Sequence, residues 1–144
     1  MQRKEAPQLS EQICFPLYVI SKEIIALYRP FLEELNLTYS QYLVMMVLWE
    51  TEGLTVNQIS EKVYLDSGTV TPLLKRLEAK KFLSRVRQKE DERMVEIFLT
   101  EQGVALKKQA CTIPQKMQQK LALTDEDMKE LKMTVDKILN KVIR

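Results

Sequence analysis

The amino-acid sequence predicts a mainly α fold with a small β-hairpin, and three observations predict it. Helix-start signals recur along the 144 residues, one stretch of period-two alternation interrupts them, and each end of the chain carries an apolar stripe at helical spacing. A chain of this length can build one core and still leave helices over for a partner.

Ser10 precedes the first periodic segment, expected as a helix over 10–35, in which Ile13, Leu17, Ile20, Ile24, Leu27 and Phe31 alternate spacings of four and three. Thr38 to Gln41 and Thr55 to Gln58 fit the capping box, whose two side chains satisfy free backbone N–H groups reciprocally. They start helices over 38–51 and 55–63. Asp66 or Ser67 caps a fourth over 67–80, Thr100 a fifth over 101–121, and Thr124 with Asp127 a sixth over 124–142. In the sixth, Met128, Leu131, Val135, Ile138 and Val142 form the second stripe.

Between the fourth and fifth helices, "FLSRVRQ" and "MVEIFLT" flank the polar stretch "KEDER", and Val95, Ile97 and Leu99 alternate. Two short antiparallel strands joined by a charged turn follow. Short helices followed by a hairpin give the order of a winged helix-turn-helix over 37–100. That module leaves little surface for two stripes, so residues 1–36 and 101–144 are expected to form a helical dimerisation domain with a second copy. An ordinary bundle within one chain is the alternative.

The sequence has no histidine, which removes the commonest general base, the commonest metal ligand and every Ser/His or Cys/His pair. The two cysteines, Cys14 and Cys111, form no Cys-x-x-Cys, and the three glycines fit no phosphate loop. No cofactor, no metal and no enzymatic activity are expected. The longest apolar run, Tyr42 to Trp49, is far short of the roughly 20 residues a membrane span needs. With so few cysteines, a reducing cytoplasm and no membrane are the expectation. Net charge is only +2, yet Lys75 to Arg93 holds eight basic residues against four acidic, a balance of +4. Charge alone leaves open a solvated face or a nucleic-acid surface.

The stretch "LDSGTVTPLLKRLEAKKFLSRVRQKEDERMVEIFLTEQG", residues 65 to 103, resembles the MarR family of winged-helix transcription regulators. Within it, "QICFPLY" and "LTYSQYLVMMVLWE" resemble the organic-hydroperoxide-sensing OhrR branch, which includes MgrA- and SarZ-type regulators. The resemblance implies a dimeric repressor on a palindromic double-stranded operator. It implies that the fourth helix reads the major groove, with Ser67 and Thr69 at its start, Lys75 and Arg76 along its flank, and Leu73, Leu74 and Leu77 facing the core. In the wing, Arg93 suits a narrow minor groove with Asp91 gripping its guanidinium, while Arg85 and Arg87 suit phosphates. Pro72 deletes an N–H inside the fourth helix, so an irregular first turn or a restart near Thr71 is expected.

For Cys14 the residues alone allow a small buried hydrophobe. The resemblance implies instead a redox-sensing thiol, with Tyr28 and Tyr39 as hydrogen-bonding partners and Phe15 and Tyr18 as greasy walls. Cys14 and Tyr28 share a helix but lie about 21 Å apart along it, so they meet only if two copies of that helix run antiparallel. Oxidation by an organic hydroperoxide, followed by a low-molecular-weight thiol, would break the hydrogen bonds and displace the reading helices. Pro16, where the family has an ordinary apolar residue, is expected to kink the helix or delay its start. Cys111 is expected to be structural, because the family's second cysteine aligns near Gln119. Two other readings are a MarR-like regulator switched by a small aromatic ligand and a thiol peroxidase.

Overall fold

A computed structural model describes residues 6–143. Its order is α1 (Cys14–Glu33), α2 (Tyr39–Glu50), β1 (Leu54–Thr55), α3 (Val56–Val63), α4 (Ser67–Ala79), β2 (Leu83–Arg87), β3 (Val95–Leu99), α5 (Glu101–Ala110), α6 (Ile113–Leu121) and α7 (Asp125–Val142).

The caps act as their residue types dictate. Thr38, Thr55 and Thr124 each close a capping box with the residue three positions on, and Asp66 and Thr100 each accept a backbone N–H from the third residue of their helix. Asp66, rather than Ser67, is the cap of α4.

Three helical expectations are corrected, all through proline. The first helix begins at Cys14 instead of residue 10; Leu9–Glu11 form a single 3-10 turn and Gln12 is extended. Pro16 is the third residue of α1, where its missing N–H has no intrahelical acceptor to lose, which fits the late start. The first full-turn bond is Leu17 N–H to the Ile13 carbonyl at 3.3 Å. The expected single helix over 101–121 is two, because Pro114 lacks an N–H and crowds the turn ending at Ala110, and the chain breaks at Cys111 and Thr112. Pro72, by contrast, lies inside an unbroken α4. The Thr71 hydroxyl donates to the Ser67 carbonyl at 2.8 Å, a side-chain bond within the turn that precedes the proline.

The sheet has the order β1-β3-β2, all antiparallel, with Leu83 opposite Leu99, Arg85 opposite Ile97 and Arg87 opposite Val95. The hairpin is where it was expected. The short β1, pairing Leu54 with Ile97, was not, since two residues carry no alternation.

The core lies between α2, α3, α4 and the sheet, where Val44, Met45, Ile59, Val70, Leu74, Leu77 and Ile97 are all fully buried. α1 joins it through its C-terminal half alone: Leu32 is buried and Ile24, Leu27, Tyr28 and Phe31 pack on the cluster. The other half is bare, with Ile13 74% and Ile20 48% exposed, and no residue of α7 is buried. The first half of the α1 stripe and most of the α7 stripe, Leu131, Val135, Ile138 and Val142, therefore face outward.

One close approach fixes the sheet to α5. The Thr100 N–H donates to the Phe82 carbonyl at 3.1 Å, and a Cβ on Gly103 would fall 2.0 Å from that same oxygen. The Trp49 indole N–H in turn donates to the Gly103 carbonyl at 2.9 Å. Gly103→Ala therefore has to push two backbones apart and should lower stability by about 3 kcal/mol in urea unfolding. An unchanged midpoint would contradict the packing.

Candidate functional site

Two surfaces carry the residues singled out by sequence. On the first, α4 turns Val70, Leu73, Leu74 and Leu77 inward and leaves Ser67, Thr69, Lys75 and Arg76 on the opposite, exposed face. Ser67 also donates its hydroxyl to Asn57 Oδ1 at 3.0 Å, tying the start of α4 to α3. Asn57 escaped sequence reasoning because nothing relates residues ten apart across a turn. That turn closes on Tyr64, which holds the left-handed conformation (φ 55°) and exposes its ring, while the Leu65 N–H reaches the Ser60 carbonyl at 3.2 Å.

The wing differs from expectation in two places. Asp91 does not grip the Arg93 guanidinium; its Oδ1 accepts the Arg93 backbone N–H at 3.0 Å, and the Met94 N–H donates to the Asp91 carbonyl at 3.0 Å. A short aspartate side chain reaches the backbone two residues on more readily than a guanidinium beyond it. Asp91 thus shapes the turn and leaves the Arg93 side chain exposed. The Gln88 amide bonds Glu96 across the base of the loop. Arg85 shares a strand face with buried Leu83, so it points back toward α4, with Nε 3.7 Å from Glu78 Oε2. Arg87, one pleat further out, is exposed.

The second surface is the joint between α1 and α2. Tyr28 and Tyr39 come together with ring centroids 5.0 Å apart, and Tyr42 lies 5.9 Å and 6.4 Å from them. Tyr42 was overlooked, although its place three residues after Tyr39 on one helix face was the signal. Burial pushes all three phenols above the ordinary tyrosine range. Tyr42 is pushed furthest, up to about 12, with the negative charge of an ionised Tyr28 or Tyr39 adding to burial.

Cys14 is not at this cluster. It is the first residue of α1 and exposed, rather than a turn inside the helix as the sequence suggested. Phe15 and Tyr18 beside it are 43% and 61% exposed, and Lys22 lies over the Tyr18 ring at 4.6 Å. Cys111 is exposed as well, at the helix break, its thiol donating to the Lys108 carbonyl at 2.9 Å. It fills no core position.

A three-stranded sheet with a projecting hairpin, behind a capped helix that shows hydroxyls and cations outward, defines a winged-helix DNA-binding transcriptional regulator. Comparison with known proteins agrees. The organic hydroperoxide resistance transcriptional regulator of Bacillus subtilis is 46% identical over 92% of this chain and 90% of its own. The regulator SarZ of Staphylococcus aureus is 42% identical over 88% and 86%. Among solved structures, reduced AbfR bound to DNA matches with a TM-score of 0.77 at 32% identity, covering 94% of this chain and 95% of that one. Overoxidised AbfR bound to DNA matches at 0.74 and 34%, with the same coverage. The model of the transcriptional regulator SarA/Rot family matches residues 26–110, and the chain belongs to that family. These relatives are regulators and not enzymes, which removes the peroxidase reading.

The tyrosine cluster has a pH signature. A phenol whose folded value exceeds its unfolded value of 10.0 stabilises the fold while protonated, and that contribution is lost as pH rises from about 10 to about 12. Stability should fall across this window, and Tyr42→Phe should flatten the fall. Chemical unfolding between pH 9 and pH 12, on the order of one step per half unit, reads it; equal slopes for both proteins would contradict the buried phenol.

Proposed function

We propose that this chain is a homodimeric repressor that binds a palindromic double-stranded operator and releases it when an organic hydroperoxide oxidises Cys14. The observation that carries this reading is the exposed Cys14 at the head of an apolar stripe whose first half is bare, with Tyr28, toward the far end of the same helix, gathered against Tyr39 of α2. Two such helices running antiparallel cover both stripes and bring each thiol beside the tyrosines of the partner. Residues 1–36 and 101–144 then form the dimerisation domain, with α1 and α7 as its faces, and residues 37–100 the DNA-binding domain.

On DNA, α4 enters the major groove. Ser67 and Thr69 reach base edges or phosphates from its start, and Lys75 and Arg76 supply charge along its flank. Arg93 enters the minor groove from a turn shaped by Asp91, and Arg87 meets a phosphate. Arg85, held against Glu78, braces the hairpin on α4.

The chemistry at Cys14 needs no metal. The thiolate attacks the terminal oxygen of the hydroperoxide, an S–O bond forms as the O–O bond breaks, and the alkoxide leaves as an alcohol after taking a proton. Sulfur is oxidised by two electrons and the peroxide is reduced. A low-molecular-weight thiol then condenses with the sulfenic acid to a mixed disulfide and water. The added bulk displaces the tyrosine hydroxyls and, through the helices that set the spacing of the two α4 copies, misplaces both half-sites. Support comes from the AbfR relatives solved in reduced and overoxidised forms and from the hydroperoxide-resistance regulator of Bacillus subtilis. A reducing cytoplasm suits such a thiol.

A small aromatic ligand is the second reading. It rests on a cavity of about 450 Å³ beside Tyr39, lined also by Arg29, Thr38 and Ile25. Anisotropy of a labelled operator duplex separates the two. Reduced wild type and Cys14→Ser should both bind, and one equivalent of an organic hydroperoxide with added thiol should release the wild type alone. Release of both, or of neither, would discard the thiol switch, and ligand-induced release retained by Cys14→Ser would favour the cavity. In the same assay Arg93→Ala should weaken binding about tenfold or more with an unchanged melting temperature, and unchanged affinity would remove the wing from the interface.

A further inference from the structure

The basic stretch that marks the DNA-binding face contains one lysine that does not face outward. Lys80, the C-cap of α4, runs back toward the start of α2. Its Nζ lies 2.6 Å from the Asn36 carbonyl and 2.8 Å from Gln41 Oε1. Both acceptors belong to the α1–α2 joint. Asn36 takes the left-handed conformation (φ 55°) that ends α1, and the Leu37 N–H closes that end on the Leu32 carbonyl at 3.0 Å. Gln41 is 2% exposed and spends the same Oε1 on the Thr38 N–H, the return half of the capping box that starts α2. Its neighbours on α2 are Tyr39 and Tyr42, members of the tyrosine cluster. Burial, which disfavours the charged form, pulls the Lys80 amine below the ordinary lysine range.

We propose that Lys80 is a positioning residue that couples the α1–α2 tyrosine joint to the recognition helix through its paired bonds to the Asn36 carbonyl and the Gln41 side chain. The physical case is that one ammonium group, at the C-terminal end of α4, clamps the turn that follows α1 and the first turn of α2. A displacement of Tyr28 or Tyr39 moves the ends of α1 and α2, and the clamp passes that movement to α4 from its C-terminal end. The Asn57–Ser67 bond holds the other end of α4 to α3, so α4 responds by tilting about its N-terminus. A tilt about that end changes what Lys75 and Arg76, farthest from the pivot, reach in a groove. This proposal rests on the reading of the tyrosine joint as the place where the signal enters, and not on what the signal is.

The test is a double-mutant cycle on operator affinity with the reduced full-length protein, using Tyr39→Leu, Lys80→Met and the pair, with Lys80→Arg as the conservative variant. Coupling through the clamp predicts that Tyr39→Leu changes affinity in the wild-type background and has a smaller effect, by about threefold to tenfold, when Lys80 is Met. Lys80→Arg, which keeps a cation and donors, should restore the dependence. Melting temperatures of all four proteins identify any that fail to fold, and in that case Gln41→Met replaces Lys80→Met as the cut in the clamp. Additive effects of Tyr39→Leu and the substitution that cuts the clamp would overturn the proposal. Wild-type protein that keeps its operator after hydroperoxide, together with a non-additive cycle, would overturn the peroxide reading and leave the clamp standing; release with an additive cycle would do the reverse.

Discussion

Seating α4 is the constraint on which the rest of the structure depends: its inner face must bury Val70, Leu73, Leu74 and Leu77 while its outer face, the one proposed to read DNA, stays exposed. Four apolar side chains at helical spacing fix the rotation of the helix about its axis, because any turn toward solvent would expose buried hydrocarbon at about 25 cal/mol per Å². The hairpin follows from the same seat. Leu83 and Ile97 complete the pocket that α4 fills, so the wing leaves the core at a set angle, and Arg85 braces it against Glu78. What reaches outward, from Thr69 to Arg93, is placed by what is buried.

The ends of α4 are held by polar contacts that burial alone would not specify. Asp66 caps its first turn with a 2.7 Å bond to the Thr69 N–H, Ser67 ties it to α3, and Lys80 ties its last turn to the start of α2. A helix held at both ends by different neighbours reports on both. On the proposed function, regulation of DNA binding then needs no large rearrangement, only a change in how those neighbours sit.

Much of this was legible in the sequence, and the reasons for the exceptions are specific. The capping boxes at Thr38 and Thr55, the cap at Thr100 and the alternation of Val95, Ile97 and Leu99 are local signals, read over three to five residues, and the structure carries each of them. The late start at Cys14 and the break at Cys111 turned on Pro16 and Pro114, whose effect depends on whether the N–H they lack would have had an acceptor. The turn of Lys80 and Arg85 away from the solvent, the Asn57–Ser67 bond and the backbone role of Asp91 are tertiary, and no spacing rule announces them. Among the named sensing residues, Tyr28 and Tyr39 lie together on one chain, whereas Cys14 lies a helix away; that separation follows from a rise of about 1.5 Å per residue and was legible from the start.

The central claim is therefore that the thiol site is made by two chains, and complementation measures it most directly. Tyr28→Phe dimers, lacking the hydroxyl, should form sulfenic acid at Cys14 more slowly than wild type with a limiting organic hydroperoxide. Mixing and reannealing them with Cys14→Ser chains pairs the intact Cys14 of one chain with the intact Tyr28 of the other. The account predicts that the rate per remaining thiol returns to the wild-type value in the mixed dimers. A rate that stays at the Tyr28→Phe value after mixing would contradict it.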